Sequence, residues 1–106
     1  MGRRVDVEAL CRRWVRAKEE DTPTEAVYRP AGYALPPSRG RTGLEFYADG
    51  GFKEIGVGAN DVSAVSLGHW LLPHENQGKI RVDVGGREKE LEIESLTADR
   101  LSISKR

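Results

Sequence analysis

Lys79-Ile-Arg-Val-Asp-Val-Gly-Gly-Arg-Glu-Lys-Glu-Leu-Glu-Ile-Glu-Ser-Leu96 decides the fold of this chain. Ile80, Val82 and Val84 alternate with Arg81 and Asp83, the period of a strand with one buried face. A helix would spread those three apolar residues around more than half of its circumference. Gly85-Gly86 then supplies two residues able to take the positive φ of a tight hairpin turn. The return arm alternates again, Leu91 and Ile93 against Glu90, Glu92 and Glu94. The stretch therefore predicts an antiparallel sheet with one wet face.

Downstream, Thr97-Ala98-Asp99 turns the chain into a last alternating strand, Leu101 to Ser104. Upstream, Leu67 to Leu72 is expected to be a strand with Trp70 and Leu72 on one face, Gly58 to Ser66 a loop and Pro73 to Gly78 a turn. Leu44 to Tyr47 and Phe52 to Val57 flank the hairpin signal Ala48-Asp49-Gly50-Gly51. Phe52 argues for one buried face of the second of these strands, and Ile55 with Val57 for the other. That conflict predicts a bulge near Gly51 or Gly56. Two more strands are expected from about Arg13 to Glu19 and from Glu25 to Arg29. They follow a short helix capped by Asp6, whose apolar face is Val7, Leu10, Cys11 and Trp14. Pro30 to Gly43 holds three Pro and three Gly in fourteen residues and is read as a long connection. The whole, residues 1–106, reads as one all-β domain: a small antiparallel meander barrel of about eight strands after a short N-terminal helix, with an open sandwich as the alternative that fits the same alternation. Trp14, Phe46, Trp70, Ile80, Val82, Leu91, Ile93, Leu101 and Ile103 are its expected core.

Composition excludes several classes of function. Lys+Arg and Asp+Glu number 17 each, so the basic excess of a nucleic-acid or membrane-surface protein is missing, and neither partner is expected. The single Cys11 cannot form an internal disulfide, and the N-terminal residues lack a signal-peptide core, so a cytoplasmic location is expected. No apolar run approaches the length of a membrane span.

The candidate site is the arginine-bearing segment from Tyr28 and Arg29 through Arg39 and Arg41. Guanidinium forks bind carboxylate or phosphate, and Gly40 and Gly43 let backbone N–H groups turn toward an anion. The competing reading pairs these arginines with Glu19-Glu20-Asp21 as a clasp over one barrel end. Trp14, Trp70, Tyr28 and Phe46 read either as the lining of an apolar pocket or, more economically, as core. Catalytic arrangements fail on inspection. His69, His74 and Cys11 have no metal-ligand spacing, no Ser lies in a nucleophile elbow, and Gly56-Val57-Gly58 lacks the third Gly of a dinucleotide loop. The acidic run from Glu88 to Glu94 reads as a solvated strand face. No catalysis, metal or cofactor is expected.

The run Leu44-Glu45-Phe46, Asp49-Gly50, Gly68-His69-Trp70, the alternating hairpin and Asp99-Arg100-Leu101 resembles the small lipocalin-like domains of bacterial proteins, over roughly residues 13–105. Where lipocalins show Gly-x-Trp in the first strand, this chain has Arg12-Arg13-Trp14. The resemblance implies a barrel and supplies no catalytic residue. Two roles are then expected. One is a non-catalytic binding module taking a small anionic or amphipathic ligand at one barrel end, with Tyr28, Arg29, Arg39, Arg41, Trp14 and Trp70 as candidate contacts. The other is a protein-interaction or structural domain with a filled core.

Overall fold

A computed structural model describes residues 6–37, 41–57, 63–73 and 78–105. A single helical turn, α1 (Val7–Leu10), precedes eight strands: β1 (Arg13–Arg16), β2 (Glu25–Pro30), β3 (Gly43–Phe46), β4 (Gly51–Val57), β5 (Ser63–Leu71), β6 (Lys79–Val84), β7 (Arg87–Leu96) and β8 (Leu101–Ser104). All neighbours pair antiparallel and the sheet closes on itself in the order β1-β2-β8-β7-β6-β5-β4-β3, with β3 returning to β1. Closure removes every sheet edge. Among the described residues no helix is long and apolar enough to cross a membrane.

The founding hairpin forms with Val84 opposite Arg87 and Ile80 opposite Leu91, and Gly85 and Gly86 both take positive φ, 59° and 79°. A continuous meander runs from β3 to β8. The first two strands are exchanged relative to it, because β1 lies between β2 and β3. Since β2 and β3 both run antiparallel to β1, the Pro- and Gly-rich segment between them has to step past that strand and return the chain to the opposite barrel end. Its length, set against the short turns elsewhere, follows from that crossing.

The interior is built from alternate residues of every strand. Trp14, Phe46, Phe52, Trp70, Ile80, Val82, Ile93, Leu101 and Ile103 are all buried in one cluster, with Leu91 packed against it. Phe46 lies 5.0 Å from Phe52 and 5.8 Å from Trp70, edge-on to the latter. Each indole N–H finds a backbone acceptor, Trp14 Nε1 donating to Leu10 O (3.0 Å) and Trp70 Nε1 to Tyr47 O (2.8 Å). Burial of the rings therefore strands no donor.

Three local expectations are corrected. The helix is one turn, with the Asp6 side chain accepting from the N–H groups of Glu8 and Ala9, and Trp14 already belongs to β1. Secondly, β1 stops at Arg16 and a 3-10 turn follows at Lys18–Glu20. The ladder is continued there by other means: Ala17 N–H donates to Val27 O, and Asp21 Oδ1 accepts from Val27 N–H. Thirdly, β4 pairs with β5 without interruption from Gly51 to Val57, so it carries no bulge. Phe52 and Ile55 are both buried because they use opposite faces of the wall. Phe52 enters the core, while Ile55 lies over bare backbone: its Cδ1 is 3.8 Å from where a Gly43 Cβ would stand. The irregularity falls instead on β7, where Glu94 is the extra residue between Ile93 and Ser95. It brings Leu96, three positions after Ile93, back opposite Leu101.

The expected loop at Gly58 to Ser66 is strand from Ser63 onward, and 58–62 lie outside the described residues. Its polarity is inverted relative to a half-buried strand. Val65, Leu67 and Leu71 point outward and are exposed, Leu67 by 70%, while Ala64 and Ser66 point in. An apolar-in, polar-out template does not detect such a strand.

Candidate functional site

The barrel has two unlike ends. One collects the start of β1, β4, β6 and β8 and the finish of β2, β3, β5 and β7; α1 sits there, with Leu10 and Trp14 fully buried. At the other end the inward positions belong to different residue types. Register fixes which they are: Glu54 pairs with the core residue Leu44 on one side and with Ser66 on the other, so all three face inward. Gly56 pairs with Ala64, and Tyr28 with Leu101, on the same inner face. Glycine, alanine and serine at these positions cannot fill the barrel as Phe52 and Trp70 do farther along the same strands. The space left is a cup of about 300 Å³ lined by Tyr28, Thr42, Leu44, Glu54, Ala64 and Ser66, among others.

Charged pairs surround the cup. Lys89 Nζ donates to Glu54 Oε2 at 2.7 Å. Lys89 pairs in register with the core residue Val82, which places it on the inner face too. Arg16 forms a charge-assisted pair with Asp21, and its guanidinium lies 5.6 Å from the centre of the Tyr28 ring. Lys105 approaches the same carboxylate at 3.5 Å. Burial raises the pKa of Tyr28 and outweighs the opposing pull of Arg16, so the phenol stays protonated well past neutral pH. Burial also pushes Asp21 upward, but hydrogen bonds from Arg16 and from Val27 N–H outweigh it and leave the carboxyl below its ordinary value. The cup thus offers a neutral hydroxyl, small hydroxyl side chains, an apolar wall and one opposed pair of charges.

Of the five described residues among the six expected from the sequence to form the site, Tyr28 alone lines this cup. Arg29 holds Glu20 in a bidentate pair, Nε to Oε2 at 3.0 Å and Nη2 to Oε1 at 2.6 Å, and also donates to Asp99 O. Its guanidinium stacks 4.6 Å from the Tyr33 ring centre. Arg41 holds Glu19 with two bonds of 2.8 Å and donates to the carbonyls of Arg16 and Pro36. Both arginines therefore converge on the 3-10 turn, each on its own carboxylate. Arg29 lowers the pKa of Glu20, and Arg41 holds that of Glu19 down to about 2. Arg39 lies outside the described residues. Trp14 and Trp70 are core residues of the closed end.

Glu54, Ser66, Lys89, Thr42 and Arg16 escaped the sequence reading. The signal was strand parity. Lys89 shares a face with Leu91 and Ile93, and Glu54 with Phe52, so a charge at either position faces inward unless a bulge intervenes. His69 lies on the outer face of β5, and His74 lies outside the described residues. Cys11 is half-buried, and burial raises its pKa. Among the described residues no group of three or more His, Cys, Asp or Glu is placed to hold a metal ion. What fold and site define is a closed eight-stranded antiparallel barrel, filled by aromatic rings in one half and opening at the other end into a cup that carries an apolar wall and a few polar groups. No family model matches the chain, and no curated protein or solved structure matches it.

Proposed function

We propose that this chain is a non-catalytic, lipocalin-like binding module that receives a small amphipathic or anionic ligand in the cup at its open barrel end. The observation that supports it is the cup itself: about 300 Å³ of space inside a barrel whose other half is filled by aromatic rings. That volume is at the small end of the range of ligand pockets, roughly 300 to 1,000 Å³. A filled-core interaction domain has no reason to set glycine, alanine and serine at three neighbouring inward positions. Polar recognition falls to Tyr28, Thr42, Ser66 and Glu54, which line the cup, with Lys89 bonded to Glu54, because Arg29 and Arg41 lie outside it, held on the carboxylates of the 3-10 turn. The amphipathic form of the ligand is therefore favoured over the purely anionic one. The single cysteine fits a reducing cytoplasm.

A test is to follow backbone amide shifts of labelled protein against a panel of short-chain carboxylates, amines and amino acids. Shifts confined to residues 42–44, 54–56 and 64–66, and abolished when Ser66→Trp fills the cup, are the expected result. Silence across the whole panel, or shifts that persist in Ser66→Trp, defeats the binding role.

A further inference from the structure

The Glu54–Lys89 pair does not join neighbouring strands. β4 and β7 are separated in the wall by β5 and β6, and both side chains face inward. Their 2.7 Å bond therefore crosses the interior at the cup rather than running along the wall. A ligand that uses the Glu54 carboxylate has to take the place of Lys89. Opening the pair is easy, since the two side chains are 46% and 37% exposed and solvated pairs of this kind contribute little.

We infer that the cup selects a zwitterion: a small molecule of amino-acid type, with its ammonium on Glu54, its carboxylate on Lys89 and a short apolar remainder against Leu44, Ala64 and the Tyr28 ring. This rests on the binding role proposed above and narrows its ligand. An ammonium alone satisfies Glu54 and leaves Lys89 without its partner. A carboxylate alone satisfies Lys89 and sets a second negative charge beside Glu54. A molecule bearing both replaces the internal pair with two charge-assisted hydrogen bonds and strands neither group. Its net charge of zero also suits a site whose own two charges cancel. The apolar wall favours an uncharged side chain over a second ionic group.

Norleucine, hexanoate and pentylamine separate the contributions, because the last two are norleucine without its ammonium and without its carboxylate. Amide shifts of the full chain are followed with each compound. Norleucine is expected to move residues 42–44, 54–56 and 64–66, with hexanoate and pentylamine binding at least about tenfold more weakly. Glu54→Gln and Lys89→Met should each weaken norleucine by about tenfold, and Lys89→Met should strengthen pentylamine by freeing Glu54. If hexanoate or pentylamine shifts the cup as strongly as norleucine, or if neither substitution affects norleucine, zwitterion selection is overturned while the binding role stands. If none of the three moves the cup residues, zwitterion selection is likewise overturned, and the binding role then depends on the rest of the panel.

Discussion

The sealed and open ends of this barrel are made by the same strands, two to six residues apart. β1 contributes Trp14 to the sealed end and Arg16 to the open one; β4 contributes Phe52 and then Glu54; β5 contributes Trp70 and, six residues earlier, Ala64. Alternation of inward and outward residues persists through both halves, and only the inward residue type changes. Where rings meet at 5.0 and 5.8 Å the barrel is solid, and where Gly56, Ala64 and Ser66 line it there is room for a small molecule. The sealed half anchors the fold, so the open half is free to carry charges and space. Side chains mounted on strands rather than loops are held by the packing beneath them.

The contrast is tested most severely at the sealed end. Trp14 is fully buried and its indole N–H is satisfied by Leu10 O. Trp14→Ala should lower stability by about 3–5 kcal/mol in urea unfolding, the usual range for a buried large aromatic. A loss under about 1 kcal/mol would mean that this end is no better packed than the other. Gly68→Ala comes next. Gly68 faces inward between Phe52 and Val84, and a Cβ there would lie 1.9 Å from Asp83 O, a backbone atom that cannot swing aside. Its bare backbone lets β6 approach closely where the barrel turns its corner. The expected cost is about 1–3 kcal/mol or more, from displaced backbone rather than a lost contact. Unchanged stability would show that the close approach is not needed for closure.

A third test concerns the clasp beside the open end. The Glu19 carboxyl is held down from 4.5 to about 2 by Arg41, and Glu20 and Asp21 also lie below their ordinary values. Each contributes stability that is fully present above the pKa of the unfolded chain and is lost as pH falls through the folded value. For Glu19 the window runs from about pH 4.5 down to about pH 2. Glu19→Gln should therefore flatten part of the acid limb of stability in that window, with a smaller effect than Gly68→Ala at neutral pH. An acid limb of unchanged steepness would remove Glu19 from the clasp.

Strand alternation made most of the sealed end legible in the sequence. Ile80, Val82, Leu101 and Ile103 announce their strands by period two, and Trp14 and Trp70 are bulky enough to identify a core. The open end was read less well, for physical reasons. Its inward residues are small or charged, so Ala64 and Ser66 looked like loop, and Lys89 vanished into an acidic run. Gly and Arg density drew attention to the long connection, whose composition reflects a topological demand, the crossing of β1. Arg29 and Arg41 sit near that connection because the 3-10 turn presents Glu19 and Glu20 to them. Whether the barrel closed could not be read from alternation, because the β1–β3 ladder joins residues about thirty apart with no hairpin between them.

The smallest expected effect lies at the cup and sharpens the contrast most. Lys89→Met removes the ammonium that bridges the interior to Glu54. If the open end contributes to binding rather than to folding, this pair should contribute little to stability, because both partners keep substantial access to water. Screening by that water limits such a pair to about 0–1 kcal/mol, and the methionine stem retains the packing of the lysine chain. Urea midpoints of Lys89→Met, Glu54→Gln and the double variant form a cycle whose coupling should fall in that range. A coupling above about 2 kcal/mol would make the bridge a structural brace. The open end would then be held as firmly as the sealed one, and a ligand could displace Lys89 only by destabilising the barrel. With a small coupling, Glu54 and Lys89 can part for a ligand and close again while the rings beneath them stay in place.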